Sequence, residues 1–213
     1  MSHASLLVAL DTALPDLQTA LEYQMAPFSE NDAWFEDGSR WDWWTIGGRW
    51  TGKLTGYDPY ADPRNMETCD LCGGTGDRAT WRHEPREVQH PSGCNGCDGK
   101  GKRLSWSSNW PDEGNHLLIR DLAPEKRNGG FPAHYAFLRN RVWHEHERMG
   151  WWGNPAATEC EQQGKDVHIC THEKDGARII SWGGSDSWDK MFYPRFVEPL
   201  SPDTLLVTVD YHV

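Results

Sequence analysis

The chain has 213 residues, enough to bury a substantial core as one large or two small domains. Hydrophobic content of 37% is low, and 21 Gly with 13 Pro imply many loops, although 13 Trp offset the shortage of aliphatic residues. A formal net charge of -11 argues against general electrostatic binding to a phosphate backbone, which needs a basic face, and fits a soluble protein or one whose partner is basic.

In chain order, Ser5–Leu10 is a short apolar run ending at Asp11 and reads as a strand. The segment before it has no basic region and meets an acid early, so no secretory signal is read. Leu14, Leu17, Leu21 and Met25 follow at helical spacing, with Pro15 where a first turn tolerates it, and the helix stops near Pro27. Residues 29–40 are polar and acidic, a loop. Trp41 to Leu54 reads as two strands joined at Gly47-Gly48, a dipeptide suited to a tight turn. Alternation there puts Trp41 and Trp43 on one face, Asp42 and Trp44 on the other.

Tyr57 to Pro63 is a turn-rich exit into the cysteine segment. Beyond it, His116–Ile119 reads as a strand, and His134–Leu138 with Val142–His146 as a hairpin around Arg139-Asn140-Arg141. Residues 150–184 follow no pattern. Ser185–Phe196 is read as a helix with Ser185 as cap and Pro194 limiting its end; Thr204–Tyr211 is the clearest strand. This order predicts an α+β fold: a mostly antiparallel sheet backed by two helices as an α+β sandwich, with the first and last strands side by side at its centre. Residues 1–65 and 105–213 form that domain, and 66–104 are an inserted zinc module.

Cys69-Asp-Leu-Cys72-Gly-Gly-Thr-Gly76 and Cys94-Asn-Gly-Cys97-Asp-Gly-Lys-Gly101 are two copies of Cys-x-x-Cys-x-Gly-x-Gly. The two-residue gap turns both thiolates of a knuckle toward one metal, and the glycines let backbone N–H groups approach sulfur. Cys69, Cys72, Cys94 and Cys97 therefore close a four-thiolate site, and one structural Zn²⁺ is expected. His83 and His90, in the spacer, read as surface residues. Paired cysteines without a secretion signal favour a reducing, cytoplasmic compartment, and no apolar run is long enough to span a membrane.

The duplicated pattern resembles the cysteine-rich zinc module of DnaJ-type chaperones over residues 69–101. Two knuckles stand here where that module has four, and no J-domain His-Pro-Asp tripeptide occurs. The resemblance thus implies a zinc fold rather than chaperone activity. Outside it, Trp41-Asp-Trp-Trp-Thr-Ile-Gly-Gly-Arg-Trp50, Met149-Gly-Trp-Trp-Gly153 and the Val-Asp-Tyr-His ending are similar to small proteins of actinobacteria and their phages, a resemblance that brings no activity with it.

Weaker constellations remain. Gly47 to Leu54 nearly spells a P-loop, but Leu54 stands where Ser or Thr must hold Mg²⁺, and Thr55-Gly-Tyr-Asp-Pro59 cannot open the required helix. Arg49 beside Trp43, Trp44 and Trp50 either holds a phosphate or carboxylate or makes a cation–π contact in a core hairpin. His144 and His146 share one strand face, as do Asp210 and His212; on neighbouring strands they would form a metal or acid/base site, and otherwise they are surface residues. Cys160, His168, Cys170 and His172 are a candidate second zinc cluster. Trp143, Trp151, Trp152, Trp182 and Trp188 either serve as core or display stacking faces to a partner.

The reading that follows is a zinc-stabilised, non-enzymatic binding protein. It recognises a protein partner or a small anionic ligand through Trp43, Trp44, Arg49, Trp50, Trp151 and Trp152. A phage accessory protein blocking a host defence protein is one concrete form. The rival is a metal-dependent hydrolase or nucleotide-processing enzyme using His144, His146, Asp210 and His212. A third reading is a nucleic-acid binder drawing on Lys100, Lys102 and Arg103.

Overall fold

The computed structural model describes residues 3–11, 16–30, 40–77, 93–146, 169–174, 177–182 and 185–212, with backbone alone at 108, 128, 169–174, 181 and 185–187. The chain divides into two compact units, Met1–Tyr57 with Asp112–Val213, and Asp58–Pro111. Ten strands are described: β1 (His3–Leu10), β2 (Trp43–Ile46), β3 (Met66–Thr68), β4 (Lys102–Leu104), β5 (His116–Leu118), β6 (Ala136–Arg139), β7 (Val142–His146), β8 (Ile169–Lys174), β9 (Ala177–Trp182) and β10 (Leu205–His212). Among the described residues the α-helices are α1 (Leu17–Met25) and α2 (Ser185–Phe192).

The larger unit is α+β. Its sheet runs β2-β10-β1-β6-β7-β9-β8, with β5 also on β10. β1 and β10 pair antiparallel along their whole length at the centre, from His3 opposite His212 to Leu10 opposite Leu205. Burial on both faces explains why these two strands read as apolar runs rather than as alternations. The sheet is mixed rather than mostly antiparallel, because β1 pairs with β6 and β7 with β9 in parallel.

Each face of this sheet carries its own core and its own helix. Leu6, Val8, Leu138, Trp143, Ile179, Val207, Val209 and Tyr211 pack on one face with Ala20, Leu21 and Met25 of α1. Leu7, Ala9, Phe137, Trp182 and Leu206 pack on the other with Trp188 and Phe192 of α2 and with Phe196. The period of two in each strand, met by apolar residues at both phases, produces the two layers. Full burial of one such side chain stabilises by roughly 1.5–3 kcal/mol.

α1 starts at Leu17 because Asp16 caps it, accepting from the Thr19 amide at 2.7 Å and from the Thr19 hydroxyl at 2.7 Å. Those hydrogen bonds hold the Asp16 carboxyl below its ordinary value. The helix gives way to a 3₁₀ turn over Ala26–Phe28, at Pro27. α2 ends at Phe192, and a wider turn over Tyr193–Val197 absorbs Pro194 while Phe196 and Val197 stay in the core.

Three local expectations are corrected. After β2 no return strand forms: Gly48–Trp50 is a 3₁₀ turn and the chain crosses β10 instead. The reason is tight approach. Gly47 and Gly48 have φ of +68° and +54°, and a Cβ on Gly48 would lie 2.4 Å from the Asp210 side chain. Trp41 sits in a bridge to Ser29 rather than in β2, so it joins Trp44 on the α1 face and alternation fails there. Residues 169–174 and 177–182, within the stretch without pattern, form the antiparallel pair β8–β9. The β6–β7 hairpin does form, turning on Asn140 and Arg141 with φ of +51° and +59°.

Candidate metal centre and ligand pocket

In the smaller unit β3 and β4 pair antiparallel, and the two knuckles rise from them. The knuckles repeat one set of bonds. Gly74 N donates to Cys69 O at 3.2 Å and Gly99 N to Cys94 O at 3.1 Å; Thr75 N donates to Cys72 O at 3.1 Å and Lys100 N to Cys97 O at 2.9 Å. Each knuckle also binds the other, Cys94 N to Gly76 O at 2.7 Å and Cys69 N to Gly101 O at 3.0 Å.

This arrangement gathers Cys69, Cys72, Cys94 and Cys97, all buried, with sulfurs within 4.8 Å of one another. Cys69 Sγ lies 3.8 Å from Cys94 Sγ, and Cys72 Sγ lies 3.7 Å from Cys97 Sγ. A tetrahedron with Zn–S bonds of about 2.3 Å has S···S edges of about 3.8 Å, so the four thiols fit an ion such as zinc. The Gly76 and Gly101 amides donate to Cys72 Sγ and Cys97 Sγ at 3.3 and 3.2 Å, which favours thiolate. Burial raises the Cys72 thiol, but the Gly76 and Gly74 amides and the neighbouring thiols outweigh it and bring it to about 7. Burial, aided by the other thiols, pushes Cys94 up to about 11. A bound divalent cation would deprotonate all four. Among the described residues this is the only group of three or more His, Cys, Asp or Glu placed to converge on an ion.

In the larger unit, the segment after β2 is laid across β10 by Gly47 N to Thr208 O at 2.8 Å, Arg49 N to Asp210 Oδ2 at 2.8 Å, and Gly52 N to Asn115 Oδ1 at 3.2 Å. The crossing brings Lys53 over the α2 face of the sheet. Its ammonium reaches Ser5 Oγ at 3.1 Å and stands 4.9 Å from the centre of the Trp50 ring. A cavity of about 310 Å³ opens beside it, lined by Trp50, Lys53, His134, Tyr135, Trp188 and Asp189, among others.

The pocket's polarity is uneven. Burial pulls the Lys53 amine down to about 8, opposed by the Asp189 carboxylate. Among the described residues no carboxylate forms an ion pair with it. Burial, and then the Lys53 charge, hold His134 well below the ordinary imidazole range. His134 Nδ1 lies 3.0 Å from Pro132 O, which can only accept, so Nδ1 carries the proton; Nε2 then accepts from the Thr208 hydroxyl at 3.2 Å. Trp188 is locked by donating Nε1–H to His134 O at 2.7 Å.

The other predicted residues are dispersed. β7 and β10 are not neighbours, since β1 and β6 lie between them, so the four-residue His/Asp site lacks its geometric premise. His144 accepts from Trp182 Nε1 at 3.2 Å within an aromatic cluster, and burial, then Arg195, hold it down at about 4. His146 packs on Trp188 at the pocket. Asp210 accepts from Arg49 N and pairs with His3, while His212 pairs with Asp42 at 2.7 Å. Trp44 packs into the α1-face core, Trp43 is 45% exposed, and the Arg49 side chain is exposed, so Lys53 rather than Arg49 is the pocket's cation. Trp143, Trp182 and Trp188 are core. Arg103 is engaged by Glu67 and Asp70. Trp151, Trp152, Cys160, His168, His83 and His90 lie outside the described residues, as do the side chains of Cys170 and His172.

Sequence reasoning missed Lys53, His134 and Asp189 as one site, and His3 as the partner of Asp210. The pocket assembles from four separate stretches, and only the Gly47-Gly48 dipeptide hinted at an unusual path. Comparison with protein-family models, curated proteins and solved structures gave no match. No helix among the described residues is long and apolar enough to cross a membrane.

Proposed function

We propose that this chain is a zinc-stabilised binding protein whose larger unit takes a small aromatic anion in the Lys53 pocket. The observation that carries the reading is the Lys53 ammonium, half-buried in a cavity of about 310 Å³, bonded to Ser5 Oγ and, among the described residues, in no ion pair. Burial of a cation is costly, the Asp189 carboxylate offsets that cost only in part, since Lys53 still lies at about 8, and an anionic ligand would relieve the rest. Trp50, Tyr135 and Trp188 supply flat apolar faces for a ring, and the volume suits a small molecule. The ion of the smaller unit is read as Zn²⁺: four buried thiolates leave no open position, which suits a staple rather than a catalyst. The separation of His144 and His146 on β7 from Asp210 and His212 on β10 supports binding over hydrolysis.

The test is thermal melting with benzoate, phenyl phosphate, inorganic phosphate and, as a cationic counterpart, benzylamine. A ligand at one hundred times its dissociation constant stabilises by about 2.7 kcal/mol. The aromatic anions should raise the melting temperature of the wild type and not that of Lys53→Met. Equal shifts in both proteins, or a shift with benzylamine alone, would refute the reading.

A further inference from the structure

His3 and His212 are direct cross-strand partners on β1 and β10, and so project from the same face of the sheet. Their ring centres lie 5.2 Å apart at 68°. Two imidazoles bound through one nitrogen each to a tetrahedral ion at about 2.0–2.1 Å place their ring centres roughly 5 Å apart. Each ring is held by a carboxylate on the same nitrogen: His3 Nδ1 lies 3.0 Å from Asp210 Oδ1, and His212 Nδ1 lies 2.7 Å from Asp42 Oδ1.

A carboxylate can only accept, so Nδ1 carries the proton in both rings and Nε2 of the neutral ring keeps its lone pair. Among the described residues no hydrogen bond engages either Nε2. The two side chains are 19% and 13% exposed, open enough for an ion to arrive and shielded enough to hold their rotamers. Asp210, 1% exposed and tied through its other oxygen to Arg49 N, is a rigid anchor for His3. Trp43 lies edge-on to His3 at 5.9 Å and fences that ring on one side.

We propose that His3 and His212 form a two-histidine site for a divalent ion of the cobalt-to-zinc series, with Asp210 and Asp42 orienting the ligands. Carboxylate–histidine–metal geometry fixes the tautomer and raises the basicity of the ligating nitrogen. Imidazole suits this part of the first transition row, and two protein ligands leave positions for water or a donor from a bound molecule. His3, His212, Asp210 and Asp42 are neither thiolate ligands nor lining residues of the Lys53 pocket.

The test uses the full chain without a histidine tag, saturated with Zn²⁺ and then freed of excess. Equilibrium dialysis against Ni²⁺ measures binding, and X-ray absorption at the nickel edge reports the ligands. One Ni²⁺ per chain is expected, with scattering from two imidazoles and none from sulfur. His3→Gln and His212→Gln should each weaken binding about tenfold or more, and Asp42→Asn by an amount within about 10–100-fold; His116→Gln should change nothing. Absence of saturable binding, sulfur ligation, or equal affinity in wild type and both histidine variants would overturn the proposal. The absorption spectrum of the wild type decides the matter even if a variant fails to fold.

Discussion

The carbonyl of Gly76, the last glycine of the first knuckle, accepts the amide of Cys94, the first ligand of the second, at 2.7 Å. The reciprocal bond runs from Cys69 N to Gly101 O at 3.0 Å. Each knuckle thus positions the other's leading cysteine, and the four sulfurs meet because two copies of one short sequence clasp each other.

Gly76→Ala should break this clasp. The residue has φ of +78°, and a Cβ there would stand 2.3 Å from the backbone oxygen of Gly99, which cannot swing away as a side chain can. A cost above the roughly 1–2 kcal/mol of left-handed strain alone is expected, with a matching loss of metal affinity. Gly56→Ala is the control, since Gly56 has φ of +84° but open space around its Cβ position. Chelator competition followed by melting compares the two; equal losses would show that the glycine–glycine contact contributes nothing.

Cys72→Ser and Cys97→Ser should each abolish stoichiometric zinc. In sites of this kind the binding free energy is folding free energy, with apparent values of about 10–16 kcal/mol at pH 7. The smaller unit should therefore lose its ordered structure. Elemental analysis and far-ultraviolet circular dichroism read the two effects; zinc content and melting unchanged in both variants would remove the structural assignment.

How much of this was legible in the sequence depended on how local the signal was. The thiolate site was, because ligand spacing and glycine positions repeat within each copy. β1 and β10 were, because both are buried on two faces and so carry long apolar runs, Leu6–Leu10 and Leu205–Val207. The Asn140-Arg141 turn was, because Asn tolerates positive φ. The path after Ile46 was not: Gly47-Gly48 suits a hairpin equally well, and only the proximity of Asp210 and Asn115 decides for the crossing. β9 was missed because it pairs in parallel with β7, a contact with no nearby turn to announce it. The pocket was least legible, since Lys53, His134 and Asp189 have no sequence relation to one another.

The Lys53 pocket should respond to pH in two opposed ways. Burial pulls the Lys53 amine down to about 8 in the folded chain from its ordinary 10.5. Between these values the unfolded chain holds a proton that the folded chain has shed, so this group's stability contribution rises with pH. It is fully present above the unfolded value and is lost as pH falls through about 8. Anion binding needs the ammonium and should weaken as pH rises through the same point. Melting and binding measured from pH 7 to 9.5 in wild type and Lys53→Met isolate the group. Parallel pH profiles in the two proteins would show that Lys53 does not titrate in this window.

Arg40 and Glu145 form a two-point ion pair, Nε to Oε2 at 2.6 Å and Nη2 to Oε1 at 2.9 Å, with side chains 12% and 3% exposed. Glu145→Ala removes both of these bonds from a buried guanidinium, so it should cost about 3–5 kcal/mol. The double change Arg40→Met with Glu145→Leu should cost far less, because neither charge of the buried pair remains. Denaturant unfolding of the three proteins gives the comparison. A double variant as unstable as the single one would mean that the pair is a net stabiliser rather than a mutual compensation.

Calorimetric titration of phenyl phosphate into zinc-loaded wild type and Lys53→Met at pH 7 tests the proposed function most directly. The wild type should bind one equivalent saturably, and the variant about tenfold more weakly or worse, as loss of a hydrogen bond to a charged group worth about 1.5–3 kcal/mol requires. Equal affinity in the two folded proteins, or no binding of phenyl phosphate or benzoate by the wild type, would contradict an anion site at Lys53.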